Sequence, residues 1–226
     1  MLRIFCVFAA LVISFTSVAA DLERITNADA ASGLKQALTD GSAAAIAQLG
    51  VENGFFGNPK VKIPLPPALQ RIEAALRFAG MRRQADDLVL AMNRAAEAAV
   101  PEAKALLVDS VRKMSVQDAK GILTGGDTAA TDYFRRTTRS QLTQRFLPIV
   151  KKATDRVGLA EQYNGLAGQA MQLGLVKEDQ ATVEAYVTSK ALDGLYLMIG
   201  EQEKAFRQNP LGASSDIVKR VFGAIR

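Results

Sequence analysis

The sequence contains no histidine, no tryptophan and a single cysteine among its 226 residues. The absence of histidine excludes Ser-His-Asp and Cys-His catalysis, zinc or haem bound through imidazole, and a histidine pH switch. Aromatic residues make up only 6% of the chain, too few for the stacking platforms that hold single-stranded nucleic acid. We therefore expect no metal, no cofactor and no nucleic-acid partner.

The residues that are present suit a folded domain. Hydrophobic residues account for 49% of the chain and charged residues for 23%, a composition far from that of a disordered protein. Lysine and arginine outnumber aspartate and glutamate by 28 to 23. Such an excess is usually solvated surface charge, although it also suits an anionic surface such as phospholipid head groups or cell-wall polymers.

The first twenty residues have the three parts of a secretory signal. Arg3 supplies a positive charge, residues 4–13 are an apolar run, and small residues lead up to Ala20. The run is about half of the ~20 residues that span a bilayer, which favours a cleaved signal over an uncleaved anchor. We predict cleavage after Ala20, and an exported, periplasmic protein.

The only cysteine, Cys6, lies inside this predicted signal. The processed chain would then have no disulfide and would depend on its core alone, which suffices at this size. It would also lack a lipid-acceptor cysteine at its N-terminus, so the sequence does not predict a lipoprotein.

Apolar residues recur at helical spacing along nearly all of the remaining chain. We find no alternating run long enough for a sheet, no repeat and no low-complexity segment. The sequence predicts an all-α fold, a single compact domain of about eight to ten helices within residues 21–226. The predicted helical segments are 28–49, with a possible break at Gly41, then 66–79, 84–114, 115–123, 128–156, 159–173, 179–208 and one from 215 through 222.

One long irregular stretch, residues 50–67, interrupts the helical pattern after the first segment. It contains three glycines and four prolines, and its KVKIP portion is at best a short extended piece. A loop of this length in a compact domain is usually functional or packed by its own side chains. Phe55, Phe56, Ile63 and Leu65 favour the second explanation, a loop held to the core by apolar side chains.

Local signals predict where several helices begin, bend and end. Ser115 followed by Asp118 resembles a capping box. Asp127 and Asp179 are predicted N-caps of the helical segments that follow them. Proline lacks the backbone donor of a helix interior, so Pro101 is expected to kink or split its helix. Pro148, in segment 128–156, is expected to kink that helix for the same reason.

Several segments taken together resemble one bacterial family. They are GLKQAL (33–38), NPKVKIPLP (58–66), MNRAAEAAVPEAK (92–104), DAKGILTGGDTAATDYFRRTT (118–138), FLPIVKK (146–152), KALDGLYLMI (190–199) and VFG (221–223). In this combination the chain is similar to the domain-of-unknown-function family numbered 4197. The resemblance implies an exported, helical envelope protein, and it supplies no reaction, substrate or catalytic residue. Many members look like lipoproteins, and this chain departs from them in lacking the acceptor cysteine.

Asn93, Arg94 and Glu97 are the polar residues of an alanine-rich helical segment. Asn93 and Glu97 lie four residues apart and therefore share a face. The small alanines around them would let another helix approach closely. The polar residues would then lie in a buried interhelical network, which is the favoured interpretation, or in the wall of a ligand pocket.

Tyr133, Arg135, Arg136 and Arg139 cluster on the helix predicted at 128–156. Arg135 and Arg139 share a face, with Arg136 beside it, and such a pair suits forked binding of a carboxylate or phosphate. The simpler and favoured interpretation is structural, with a surface ion pair between Asp132 and Arg136.

No complete catalytic set is found in the sequence. The leading hypothesis is a non-enzymatic binding or structural protein of the cell envelope, whose partner is another envelope protein or a small anionic ligand. The alternative is a periplasmic hydrolase using carboxylate and arginine side chains, for example Glu97 with Arg135, which requires both groups to converge on one pocket. A third, weaker hypothesis is peripheral membrane contact through the basic surface.

Overall fold

The computed structural model describes residues 27–172, 177–209 and 216–224. Within these ranges the chain forms helices and no β-strand, which confirms the predicted all-α compact domain. The predicted signal, residues 1–20, lies outside the described residues. The α-helices are α1 (Asn27–Leu49), α2 (Pro67–Arg71), α3 (Glu73–Phe78), α4 (Arg82–Ala99), α5 (Ala103–Lys113), α6 (Val116–Leu123), α7 (Ala129–Thr154), α8 (Gly158–Gln172), α9 (Val183–Gln208) and α10 (Asp216–Ala224).

The two longest helices, α7 and α9, pack against each other at the centre of the fold. Helix α4 packs on α7, and α1 packs on α9 and on the shorter helices α5, α6 and α10. Fully buried side chains at spacings of eight and four residues, Phe134, Leu142 and Phe146, mark the inner face of α7. This spacing places them on one stripe of the helix. None of the described helices has both the length and the apolar content needed to cross a membrane.

Two of the predicted helix boundaries are confirmed in detail. The Asp118 N–H donates to Ser115 Oγ at 3.0 Å, and the Ser115 N–H donates to Asp118 Oδ2 at 3.1 Å, which completes the capping box. The hydrogen bonds from the Ser115 side chain and backbone lower the pKa of the Asp118 carboxyl. Pro101 splits its segment, because a 3-10 turn at Val100–Glu102 separates α4 from α5.

Helix α1 shows no break at Gly41 and runs without interruption from Asn27 to Leu49. The glycine serves packing, because a Cβ there would lie 3.2 Å from the ring of Phe206 on α9. Pro148 lies inside α7 and does not end it, and the kink expected there stays a prediction.

The predicted caps Asp127 and Asp179 are both wrong. Helix α7 begins after Thr128, which makes no side-chain capping bond. Its first N–H groups donate instead to the buried carboxylate of Glu203 on α9, from Ala130 at 3.0 Å and from Thr131 at 3.0 Å. Asp179 lies in a 3-10 turn at Glu178–Gln180. The cap of α9 is Thr182, whose hydroxyl accepts from the Ala185 N–H at 3.0 Å.

Residues 50–66, here called the connecting segment, join α1 to α2 through turns and extended backbone. Phe55, Ile63 and Leu65 are buried and Phe56 is half-buried. The segment lies directly on α9 at Gly194, where an added Cβ would come within 2.8 Å of the Phe55 ring. The connecting segment is therefore part of the core packing.

Gly194→Ala is expected to lower the free energy of unfolding by about 1–3 kcal/mol, because the methyl group would overpack the contact with Phe55. Gly121→Ala in α6 is the matched control, since among the described residues a Cβ there meets no neighbouring group within 4 Å. It is expected to stabilise by about 0.5–1 kcal/mol. Urea denaturation measures the free energy of unfolding of both variants. Equal stability of the two would contradict a tight contact between the connecting segment and α9.

Candidate functional site

Asn93 on α4 holds the connecting segment by its backbone. Its side-chain oxygen accepts from the Ile63 N–H at 2.9 Å, and its side-chain nitrogen donates to the Ile63 carbonyl at 2.8 Å. The same nitrogen donates to the Val89 carbonyl at 2.8 Å. Asn93 is completely buried. Its amide therefore takes the place that a neighbouring strand would occupy beside Ile63.

Glu97, one turn further along α4, binds the same segment at a second point. Its Oε1 accepts from the N–H groups of Phe55 and Phe56, both at 3.0 Å. Its Oε2 accepts from Arg94 Nη1 at 2.6 Å. The Arg94 guanidinium also donates to Asn53 Oδ1 at 3.0 Å and to the exposed Glu52 carboxylate at 3.1 Å.

Asn93, Arg94 and Glu97 are here called the α4 clamp. The structure places all three in a hydrogen-bonded network, as the favoured interpretation expects. The partner is the connecting segment, however, and not a second helix. Glu97 is 5% exposed and is occupied by two backbone N–H groups and a guanidinium. Its carboxylate is a structural acceptor.

The predicted basic cluster on α7 divides between two sides of the helix. Arg136 lies over the ring of Tyr133, 5.6 Å from its centroid. Both residues line a groove of about 320 Å³ beside α5 and α6, together with Asp109 and Lys113. The Tyr133 hydroxyl donates to the Ser110 carbonyl at 2.9 Å.

Arg135 and Arg139 lie on the side of α7 that meets α9. Arg139 donates to Asp193 Oδ1 at 2.8 Å. Asp132 pairs with Arg135 at 3.8 Å, so the predicted partner Arg136 is wrong. Arg136 instead lies over the Tyr133 ring, in the groove beside α5 and α6.

Arg135 lines a cleft of about 500 Å³ between the connecting segment, α7 and α9, here called the cationic cleft. Its volume lies within the range of about 300–1,000 Å³ that is usual for small-molecule sites. The lining residues are Lys60, Val61, Lys62, Pro64, Pro67, Gln70, Arg135, Gln180, Tyr186, Lys190, Asp193, Gly194 and Leu197. None of the α4 clamp residues is among them, so the cleft does not bring Arg135 together with Glu97.

The charges of the cleft do not balance. Lys60 pairs with Glu201 at 2.6 Å, and the carboxylate of Asp193 is taken by Arg139. Among the described residues, Lys62 and Lys190 have no carboxylate within 4.0 Å. Three cations, those two lysines and Arg135, therefore line the cleft, and of the three only Arg135 has an acidic partner, Asp132 at 3.8 Å.

Aromatic rings position these three cations. Lys62 Nζ lies 4.1 Å from the centroid of Phe56, and Arg135 lies 5.4 Å from that of Tyr196. Lys190 Nζ lies 5.9 Å from the centroid of Tyr186. A ring face attracts a cation and leaves its N–H donors free for another acceptor.

The cleft also has an apolar wall and a neutral hydroxyl. Pro64, Pro67 and the half-exposed Leu197 supply the apolar surface. Burial raises the pKa of Tyr186 to about 12, with a smaller contribution from Tyr163. The Tyr186 phenol is therefore uncharged near neutral pH. In the described residues no group of three or more acidic or cysteine side chains is placed to hold a metal ion.

Sequence reasoning missed Lys62 and Lys190. For Lys62 a sequence signal exists, because residues 60–63 alternate between lysine and an apolar residue as in a strand, and the structure exposes the lysines and buries the apolar residues. Side chains of an extended chain point to opposite faces in turn. Lys60 and Lys62 therefore share the face opposite the buried Val61 and Ile63.

Glu97→Ala is expected to lower the free energy of unfolding by about 3 kcal/mol, because it leaves two backbone N–H groups and a guanidinium without their acceptor. Asp87→Ala on the same helix is the control, since its side chain is 62% exposed. A change within about 0.5 kcal/mol is expected there. Chemical denaturation measures both, and a Glu97→Ala variant as stable as the control would contradict the clamp.

The family model described as "Protein of unknown function (DUF4197)" matches residues 24–223. No curated protein and no solved structure matches the chain. The matched residues include the connecting segment, the α4 clamp and the cationic cleft, and they confirm the resemblance carried by the sequence segments. The chain therefore belongs to the DUF4197 family.

Proposed function

We propose that the chain is an exported, non-enzymatic binding protein of the cell envelope, and that its binding site is the cationic cleft. One observation carries the proposal. Lys62, Arg135 and Lys190 line a single cleft of about 500 Å³, and among the described residues the two lysines have no carboxylate within 4.0 Å, while Arg135 has Asp132 at 3.8 Å. An excess of positive charge around an apolar-walled cleft favours an anionic ligand.

The chemistry of the walls indicates which anion. Arg135 presents a planar guanidinium suited to two parallel hydrogen bonds with a carboxylate or phosphate. The lysines add point charges, and Pro64 and Leu197 offer surface to an apolar group. The ligand class is therefore a small phosphate or carboxylate that carries an apolar stem.

The N-terminal pattern supports the export part of this proposal. Arg3, the apolar run at residues 4–13 and the small residues before Ala20 match the three parts of a secretory signal. Cleavage after Ala20 would release a periplasmic chain without cysteine.

The alternative of a hydrolase that uses Glu97 with Arg135 gains no support from the geometry. Glu97 is bound to the connecting segment, and Arg135 lines the cleft without it. The only carboxylate among the residues lining the cleft is Asp193, which pairs with Arg139 at 2.8 Å. The arrangement supplies charge for binding and no free general base.

Isothermal titration with hexyl phosphate tests whether the cleft binds an anion with an apolar stem. The protein is purified from the periplasmic fraction, where we expect to find it. Binding is expected to weaken as salt rises, because the contacts are partly exposed charges. Hexanol and hexyltrimethylammonium, which share the stem, are expected not to bind. The triple variant Lys62→Gln/Arg135→Gln/Lys190→Gln is expected to lose about a hundredfold in affinity, at about fivefold for each charge.

Lys120→Gln/Lys152→Gln/Arg156→Gln removes the same charge from exposed positions outside the cleft and serves as the control. It is expected to bind as the parent does. Equal loss in both triple variants, preference for the cationic probe, or release of inorganic phosphate from hexyl phosphate by the parent protein would each contradict the proposal.

A further inference from the structure

The turn between α3 and α4 is the second unusual surface of the molecule. Residues 77–83, here called the tip, have the sequence RFAGMRR. Gly80 has a φ of 77°. Its N–H donates to the Arg77 carbonyl at 3.2 Å, and the Met81 N–H donates to the Leu76 carbonyl at 2.9 Å. These two bonds close α3 in a left-handed glycine cap, which gives the tip a defined shape.

Phe78 stands at this tip without contact to the core. Its side chain is 97% exposed, whereas Val116, the next most exposed large apolar residue in the described part of the chain, is 61% exposed. Buried Leu76 and half-buried Met81 anchor the turn from below. A large aromatic side chain exposed to this degree contributes nothing to folding, so its apolar surface is available to something outside the chain.

Three arginines surround Phe78, and their acidic partners lie further from the turn. Arg77 pairs with Glu73 at 2.6 Å, four residues back along α3. Arg82 and Arg83 lie 3.8 Å and 3.9 Å from Asp86 and Asp87, four residues forward along α4. Four residues of helix span about 6 Å. The positive charges therefore cluster at the tip and the negative charges lie about one turn behind them.

The fold itself does not favour this placement of Arg82 and Arg83. They are the first two residues of α4, where the positive end of the helix dipole disfavours cations. Both are strongly exposed, with side-chain exposures of 71% and 93%. An external anionic surface would compensate this arrangement.

We infer that the tip docks on a lipid bilayer that contains anionic lipids. Phe78 enters the boundary between head groups and acyl chains, where amphipathic and aromatic side chains are favoured. Arg77, Arg82 and Arg83 contact the lipid phosphates, because basic residues close to an anionic leaflet are attracted to it. The inference does not rest on the cationic cleft, since none of the residues lining that cleft belongs to the tip.

A second copy of the chain fits the tip less well. A symmetric contact would bring the three arginines of one copy against those of the other. The exposed large apolar side chains on and beside the tip are Phe78 and the half-exposed Ile72. Stable interfaces bury about 800 Å² on each partner, which two side chains do not supply.

The absence of tryptophan from the chain permits a direct test. Phe78→Trp places a single indole at the tip, and Val116→Trp places one at an exposed site on α6. Every variant is purified as the full chain in the form that the cell processes, so all carry the same N-terminus. With vesicles of phosphatidylcholine and phosphatidylglycerol, the Phe78→Trp emission is expected to shift to the blue and to be quenched by brominated acyl chains. The Val116→Trp emission is expected to stay unchanged, as is that of Phe78→Trp with pure phosphatidylcholine.

Vesicle co-sedimentation then separates the two contributions to binding. Phe78→Ala is expected to weaken the partition coefficient about tenfold, and Arg82→Gln/Arg83→Gln about twentyfold, at about fivefold for each arginine. Val116→Ala and Lys120→Gln/Lys152→Gln are the matched controls and are expected to bind as the parent does. Because Phe78, Arg82 and Arg83 are exposed, unchanged thermal unfolding is expected for all variants.

Solvent-exposed emission of Phe78→Trp on anionic vesicles would overturn the inference, as would equal binding to neutral vesicles. A blue-shifted emission before any lipid is added, together with a dimer in sedimentation equilibrium that Phe78→Ala dissociates, would overturn it in favour of self-association.

Discussion

Backbone N–H groups that leave water need an acceptor, and the connecting segment enters the core without a helix to supply one. Side chains of α4 supply it. Asn93 pairs with both backbone groups of Ile63, and the Glu97 carboxylate takes two consecutive N–H groups at Phe55 and Phe56. An ionised acceptor makes stronger hydrogen bonds than a neutral one. Arg94 balances the buried charge from its open side. The position of the connecting segment, and of the cleft wall that it forms, depends on these contacts.

The cationic cleft is the first consequence. With Ile63 fixed by Asn93, the alternation of residues 60–65 turns Val61 inward and Lys60 and Lys62 outward, toward the side of the cleft. Gly194 lets the segment lie close enough to α9 for both to form one wall. A buried carboxylate also binds backbone at a second place, where Glu203 accepts from the first N–H groups of α7. Buried carboxylates that bind backbone thus fix both a loop and a helix end.

Much of the helical pattern follows from local signals, whereas the cap of α7 and the partners of the α4 clamp depend on residues far away along the chain. The capping box of Ser115 and Asp118 was predictable because its partners are three residues apart. The cap of α7 was not, because Glu203 lies more than seventy residues from the N–H groups that it binds. Helical spacing correctly placed Asn93 and Glu97 on one face. It carried no information about their partners in the connecting segment, which lie 30 to 42 residues away along the chain.

Amide hydrogen exchange at Phe55, Phe56 and Ile63, followed by NMR, tests most directly whether the α4 clamp holds the connecting segment. Exchange of an amide in a rigid core requires opening on the scale of global unfolding, whereas loop amides open locally at little cost. Our account predicts that these three amides exchange as slowly as the central amides of α4 and α9. Exchange at the fast rates of exposed loops, with α4 and α9 still protected, would contradict it.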